Sequence, residues 1–176
     1  MHVRVADRRP DKRTVIGRPN AFCRVTGNHG TMELLVVGAG AMGRWFGATV
    51  AEAADEPVAL QFADSDPATA RNAADALGGE VAAGRSAGVV CVAVPIPDAA
   101  AAIAEYAPGC AAVVDVTGSM HEPVAAMREH APAAERLSLH PLFAPENAPG
   151  NIPFVADAEG PLTDEVRAAL AAAGND

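Results

Sequence analysis

The stretch "MELLVVGAGAMGRWFG", residues 32–47, decides the fold. Its first half is a continuous apolar run stopped by glycine, the pattern of a strand buried on both faces. Beyond it, Met42, Trp45, Phe46, Thr49 and Val50 recur at the spacing of one helix face. Between the two stands Gly38-Ala39-Gly40-Ala41-Met42-Gly43, a G-x-G-x-x-G that follows a strand and opens a helix. In that context each glycine has a task. Gly38 permits the tight turn, Gly40 lets the backbone approach a pyrophosphate, and Gly43 lets helix and strand pack closely. The helix start adds free N–H groups and a partial positive charge for phosphate oxygens. Gly38, Gly40, Ala41, Met42 and Gly43 are therefore candidate dinucleotide-binding residues.

Outward from this unit the chain alternates strand and helix. Strands are expected at 57–64, 87–95, 111–118, 135–141 and 151–157, with a weak one at 80–83; helices at 41–54, 66–78, 97–109, 122–131 and 163–174. That alternation predicts βαβ units and a doubly wound, mostly parallel sheet, the Rossmann fold, over residues 32–176. The second strand ends at Asp64, 21 residues after Gly43. An acid there accepts hydrogen bonds from the ribose hydroxyls of NAD and repels the 2′-phosphate of NADP, so NAD is the expected cofactor and NADP the alternative. Asp66 is the rival acid, but before Pro67 it suits a helix N-cap better. Val94, Pro95 and Ile96 close the next strong strand and are placed to line the cofactor, since ligands in such sheets lie outside the strands' carboxyl ends.

The same edge carries the candidate chemistry. Asp115 lies near the end of its strand, and Thr117, Ser119 and His121 follow in the loop. His140 ends the strand "RLSLH" and Pro141 sets the turn out of it. A histidine at that point is suited to act as a base near neutral pH. His130 suits a helix C-terminus.

Charge divides the chain. Residues 1–31 hold seven basic residues against two acids, net +5, and residues 32–176 hold six arginines against twenty acids, net −14. Lys12 is the only lysine. The leader has no periodicity and many turn formers, so disorder is expected there, and Met32 is a candidate translation start. The acidic remainder suits a salt-rich cytoplasm and argues against a nucleic-acid partner. No apolar run reaches the ~18–20 residues of a membrane span and no apolar signal core opens the chain, so a cytoplasmic location is expected. Cys23, Cys91 and Cys110 match no metal spacing and read as reduced thiols.

Taken together, "ELLVVGAGAMGRWFG", "CVAVPIP", "VVDVTGS" and "SLHPLFAPENAPGN" resemble the prephenate/arogenate dehydrogenases of tyrosine biosynthesis, in particular an archaeal form. The resemblance implies NAD-dependent oxidative decarboxylation of prephenate or arogenate, with His140 accepting the substrate's hydroxyl proton. The family's preceding loop reads Asp-x-x-Ser-x-Lys; a gapless match places Gly118 at the serine and Met120 at the lysine. Ser119, or Thr117, is the candidate replacement for the serine. Glu146 falls where the family carries acid or amide loop residues. Family members continue into an all-helical domain that forms a homodimer and supplies arginines to the substrate carboxylates; Arg128 and Arg136 are no obvious substitutes. Two other readings stand beside this one. One is another dehydrogenase with the same glycine loop, of the 6-phosphogluconate, hydroxyisobutyrate or deazaflavin-linked NADP reductase type; the lack of lysine after Lys12 counts against those that use one. The other is a nucleotide-binding module without catalysis.

Overall fold

The computed structural model describes residues 30–86 and 88–176. The expected disorder of the leader and the cysteine at position 23 lie outside the described residues. Seven strands form one sheet in the order β3-β2-β1-β4-β5-β6-β7. They are β1 (Met32–Val37), β2 (Val58–Ala63), β3 (Glu80–Val81), β4 (Val89–Val92), β5 (Ala112–Asp115), β6 (Glu135–Leu139) and β7 (Phe154–Ala158). The helices are α1 (Ala41–Ala53), α2 (Pro67–Leu77), α3 (Ala99–Tyr106), α4 (His121–His130) and α5 (Pro161–Ala172). Short 3-10 turns at Ile96–Asp98 and Pro145–Asn147 lie within two of the connections. This is the doubly wound α/β sheet that the alternation predicts. None of the described helices is long and apolar enough to cross a membrane.

Side-chain alternation sorts the core into two layers. Leu34 and Val36 of β1 point with Val89, Cys91, Ala112, Val114, Leu137 and Leu139 toward α1, α2 and α5. Leu35 and Val37 point with Val90, Val92 and Val113 toward α3 and α4. Both β4 and β5 are buried along their whole length, which is why they read as continuous apolar runs. Phe46 on α1 and Phe62 on β2 are the largest fully buried side chains. Cys91 and Cys110 are free thiols in these layers, and burial pushes both up, Cys110 to about 11.

The strands are shorter than the sequence suggests. β4 spans Val89–Val92 rather than 87–95, and α3 ends at Tyr106 rather than near 109. After β4 the bonding to β1 goes one residue further, Ala93 N–H donating to Val37 O at 2.7 Å, before the half-buried Val94 and exposed Pro95 lead the chain away, and after α3 Pro108 and Gly109 break the helix. β7 begins at Phe154, later than expected, and runs antiparallel to β6. The connection from 140 to 153 holds no helix that could carry the chain across the sheet, so β7 returns along the same edge. His140 N–H donates to Pro153 O at 2.8 Å and Leu142 N–H to Asn151 O at 3.0 Å, extending the pairing beyond both strands.

Candidate active site

At the carboxyl end of β1 the chain turns at Gly38 with φ +94°. A Cβ there would stand 2.5 Å from the Ala93 carbonyl oxygen, so only glycine fits against the end of β4. Gly43 is as constrained: its Cβ would collide with the Gly38 carbonyl. Gly40 differs, since a Cβ on it would meet nothing within 4 Å. That direction opens into the cleft. Gly40 caps α1, whose first turn holds no acid, and the first intrahelical bond reaches Gly40 O from Arg44 N. The amides of Ala41, Met42 and Gly43 precede that bond, leaving a helix start equipped for an anion.

Asp64, just after β2, fastens this loop. Its Oδ2 accepts from Ala39 N–H at 2.8 Å and its Oδ1 from Asp66 N–H at 2.9 Å. Asp66 instead caps α2, accepting from Ala68 N–H at 3.0 Å and from the Thr69 hydroxyl at 2.8 Å. Those bonds, the Thr69 hydroxyl's first, hold its carboxyl below the ordinary range. Asp64 is thus the acid on the cleft, and Asp66 the cap.

A cleft of about 610 Å³ opens over the carboxyl ends of β1 and β4, at the switch in strand order. Gly38, Gly40, Asp64, Val94 and Pro95 line it. Ala41 and Met42 stand beside it on the first turn of α1, Gly43 is buried beneath, and Ile96 is exposed. The wall that sequence reasoning missed is α3 and the turn before it: Asp98, Ala101, Ala102 and Glu105. Their spacing, i, i+3, i+4, i+7, is a helix face that marks them in the sequence once the cleft is known. The fit to a dinucleotide rests on the open Gly40 direction, the free amides and the cleft volume.

The neighbouring strands build a second cluster on the same edge. β5 ends at Asp115, whose Oδ1 accepts from Thr117 N–H at 3.1 Å and from the Thr117 hydroxyl at 2.8 Å. The chain then turns at Gly118 with φ +81°. The His140 ring lies against this turn, its Nε2 3.3 Å from where a Gly118 Cβ would be. The residue that faces His140 is therefore Gly118, the position the gapless match gives to the family's serine. Ser119 contributes its carbonyl oxygen, 3.5 Å from the Thr117 hydroxyl, and its own hydroxyl bonds nothing among the described residues. His121 begins α4 and His130 ends it, 4.0 Å from Glu129.

The loop carrying His140 is clasped from two sides and packs on itself. Phe143 meets Trp45 of α1 edge-on, with ring centroids 5.1 Å apart. Gly150 passes so close to Phe143 that a Cβ would stand 2.6 Å from its ring. Asn175 Oδ1 accepts from Gly150 N–H at 3.1 Å, and Ile152 N–H donates to Asp176 O at 2.6 Å. Glu146 is exposed on the loop's outer side. Arg128 and Arg136 both bind Asp157 on β7, Arg136 through Nε at 2.7 Å, and lowering by these two hydrogen bonds takes the Asp157 carboxyl to about 2. Neither guanidinium faces the cluster around His140 unengaged.

No protein-family model matches the chain, and no curated protein sequence does. Solved structures do. A prephenate dehydrogenase from Aquifex aeolicus, solved with hydroxyphenyl propionate and NAD+, is 13% identical with a TM-score of 0.60 over 84% of this chain and 59% of that one. A 3-hydroxyacyl-CoA dehydrogenase from Archaeoglobus fulgidus is 15% identical with a TM-score of 0.56, over 82% of this chain and 55% of that one. A Bacteroides fragilis protein described as an NADP oxidoreductase is 13% identical with a TM-score of 0.58, over 81% and 58%. This chain thus spans little more than half the length of these structures. The likeness establishes the Rossmann-type fold shared with nicotinamide-dependent dehydrogenases.

Proposed function

We propose that this chain is the dinucleotide-binding part of an NAD-dependent oxidoreductase that oxidatively decarboxylates prephenate or arogenate, with His140 as the base. The observation that carries the reading is the juxtaposition of His140 with the glycine turn at Gly118, on the sheet edge that also holds the Gly38–Gly43 loop. When bound, NAD supplies the hydride acceptor. The chain's residues do the rest. Gly38, Gly40, Gly43 and the first amides of α1 hold the pyrophosphate, Asp64 the adenosine ribose, and Val94 and Pro95 support the cofactor's far side. His140 Nε2 takes the hydrogen bond, then the proton, of the substrate hydroxyl. Glycine at 118 leaves that nitrogen uncovered on one side, where a side chain would shield it. Bonding from Asp64 to the ribose favours NAD over NADP, and the three acids Asp64, Asp98 and Glu105 round the cleft oppose an added phosphate.

The acidic, lysine-poor composition supports a salt-rich cytoplasmic setting, and a homodimer is the proposed assembly of the whole protein. Gly118 in the serine position favours a second reading, a nucleotide-binding module without turnover. One assay separates them. In molar salt, the protein with NAD and prephenate, or arogenate, is expected to produce NADH; tight NAD binding without turnover of either compound would establish the module instead.

A further inference from the structure

Two buried oxygen atoms beneath His140 are left without partners. Asp115 Oδ2 and Ser138 Oγ are each fully buried, in residues with 0% exposure, and neither meets a partner at ordinary hydrogen-bond geometry among the described residues, although the Ser138 hydroxyl stands close enough to favour the ionised Asp115 carboxyl. Such orphans are uncommon in folded proteins and call for an explanation. They are register partners, Asp115 on β5 opposite Ser138 on β6. Val114, Leu137 and Leu139 point to the α1 side of the sheet, so Asp115 and Ser138 share the opposite face. His140 follows Ser138 by two residues with its N–H still paired to Pro153 O, so its side chain continues the same row. One sheet face therefore carries, in order, a buried carboxyl, a buried hydroxyl and the imidazole.

We propose that Asp115 is the electrostatic partner of His140, with the Ser138 hydroxyl between them, and that this pair positions the imidazole and stabilises its protonated form. The inference rests on the reading of His140 as the base, but its test does not need turnover. The Thr117 hydroxyl and amide occupy only Oδ1 of Asp115, leaving Oδ2 for a donor. Burial raises the Asp115 carboxyl above its ordinary range, while Ser138, Thr117 and the charge of His140 pull it back down. Other titratable groups on the surrounding elements do not compete. Cys91 on β4 is a thiol pushed well up by burial and by Asp115. Arg136 on β6 is held by Asp157, and on α5 Arg167 lies near Glu159 and Asp164. His121 and Glu122 begin α4, and the residues α4 buries are the apolar Pro123, Val124, Ala126 and Met127. Asp115 is a positioning residue in this scheme, since it acts through His140.

The test is an NMR titration of the imidazole rings in wild type, Asp115→Asn and Ser138→Ala, with His140 assigned by its loss in His140→Asn. Asp115→Asn should weaken proton binding at His140 by about tenfold, one pH unit, and Ser138→Ala by about threefold. An unshifted His140 in Asp115→Asn overturns the proposal. Asparagine keeps the acceptor for Thr117 and removes a buried charge, so the variant is expected to fold. Should it not, the wild-type side-chain carboxyl signal of Asp115 serves: the His140 ring must show a second inflection at the carboxyl's own titration, and its absence overturns the proposal equally.

Discussion

The two halves of the sheet edge are held by different physics. Around the glycine loop, backbone meets backbone, Gly38 against Ala93 O and Gly43 against Gly38 O, and one side chain, that of Asp64, accepts from the Ala39 amide. Around His140, side chains clasp a long loop from α1 and from the chain's last residues. Backbone contacts admit no substitution that adds an atom. Side-chain contacts tolerate change and lose stability gradually. The cofactor half should therefore fail abruptly under mutation, and the substrate half by degrees.

The largest effect is expected at Gly43. Gly43→Ala drives a methyl into the Gly38 carbonyl, so the loop must open, and NAD affinity should fall roughly a hundredfold or more, about 2.7 kcal/mol. Calorimetric titration beside circular dichroism separates lost binding from lost folding. The contrasting change is Phe143→Ala, which removes the ring from Trp45. It should lower stability by about 1–3 kcal/mol in urea unfolding, while NAD affinity stays within about twofold, a change of roughly 0.4 kcal/mol. Equal loss of NAD affinity in both variants would erase the distinction between the halves.

Smaller effects sharpen it. Asp64→Ala should weaken NAD about tenfold, near 1.4 kcal/mol, and narrow the preference over NADP. A preference for NADP in the wild type would refute the assignment of Asp64. At the far edge, the Asp157 carboxyl lies near 2 in the folded chain, below its ordinary 3.8. A depressed carboxyl contributes stability that is complete above about pH 4 and drains away as pH falls toward 2. Asp157→Asn should lower neutral-pH stability and flatten the acid limb of the unfolding profile between those values, as followed by circular dichroism.

These differences also explain what could be read from residues alone. The glycine loop, its strand and its helix were legible because the apolar run, the glycine spacing and the helix face are local patterns, although the contact that demands glycine at 38, with Ala93, is not. Asp64 was legible because a strand end and a fixed spacing place it, and Asp66 as a cap because Pro67 follows. His140 was placed at the sheet edge by its strand. What it touches was not legible, because Gly118 is distant in sequence and a glycine leaves no chemical trace. The Asp115–Ser138 pairing depends on the register of β5 and β6, and the Phe143–Trp45 clasp on how α1 packs. The antiparallel course of β7 follows from a missing crossover helix, a cue that strand patterns alone do not carry.

The most direct test of the account pairs two measurements on one substitution. His140→Asn is expected to abolish NADH formation from prephenate or arogenate, followed by absorbance, while calorimetry finds NAD binding unchanged from wild type. Persistent turnover in His140→Asn, or loss of NAD binding along with it, would contradict a site in which the glycine loop holds the cofactor and His140 acts on the substrate.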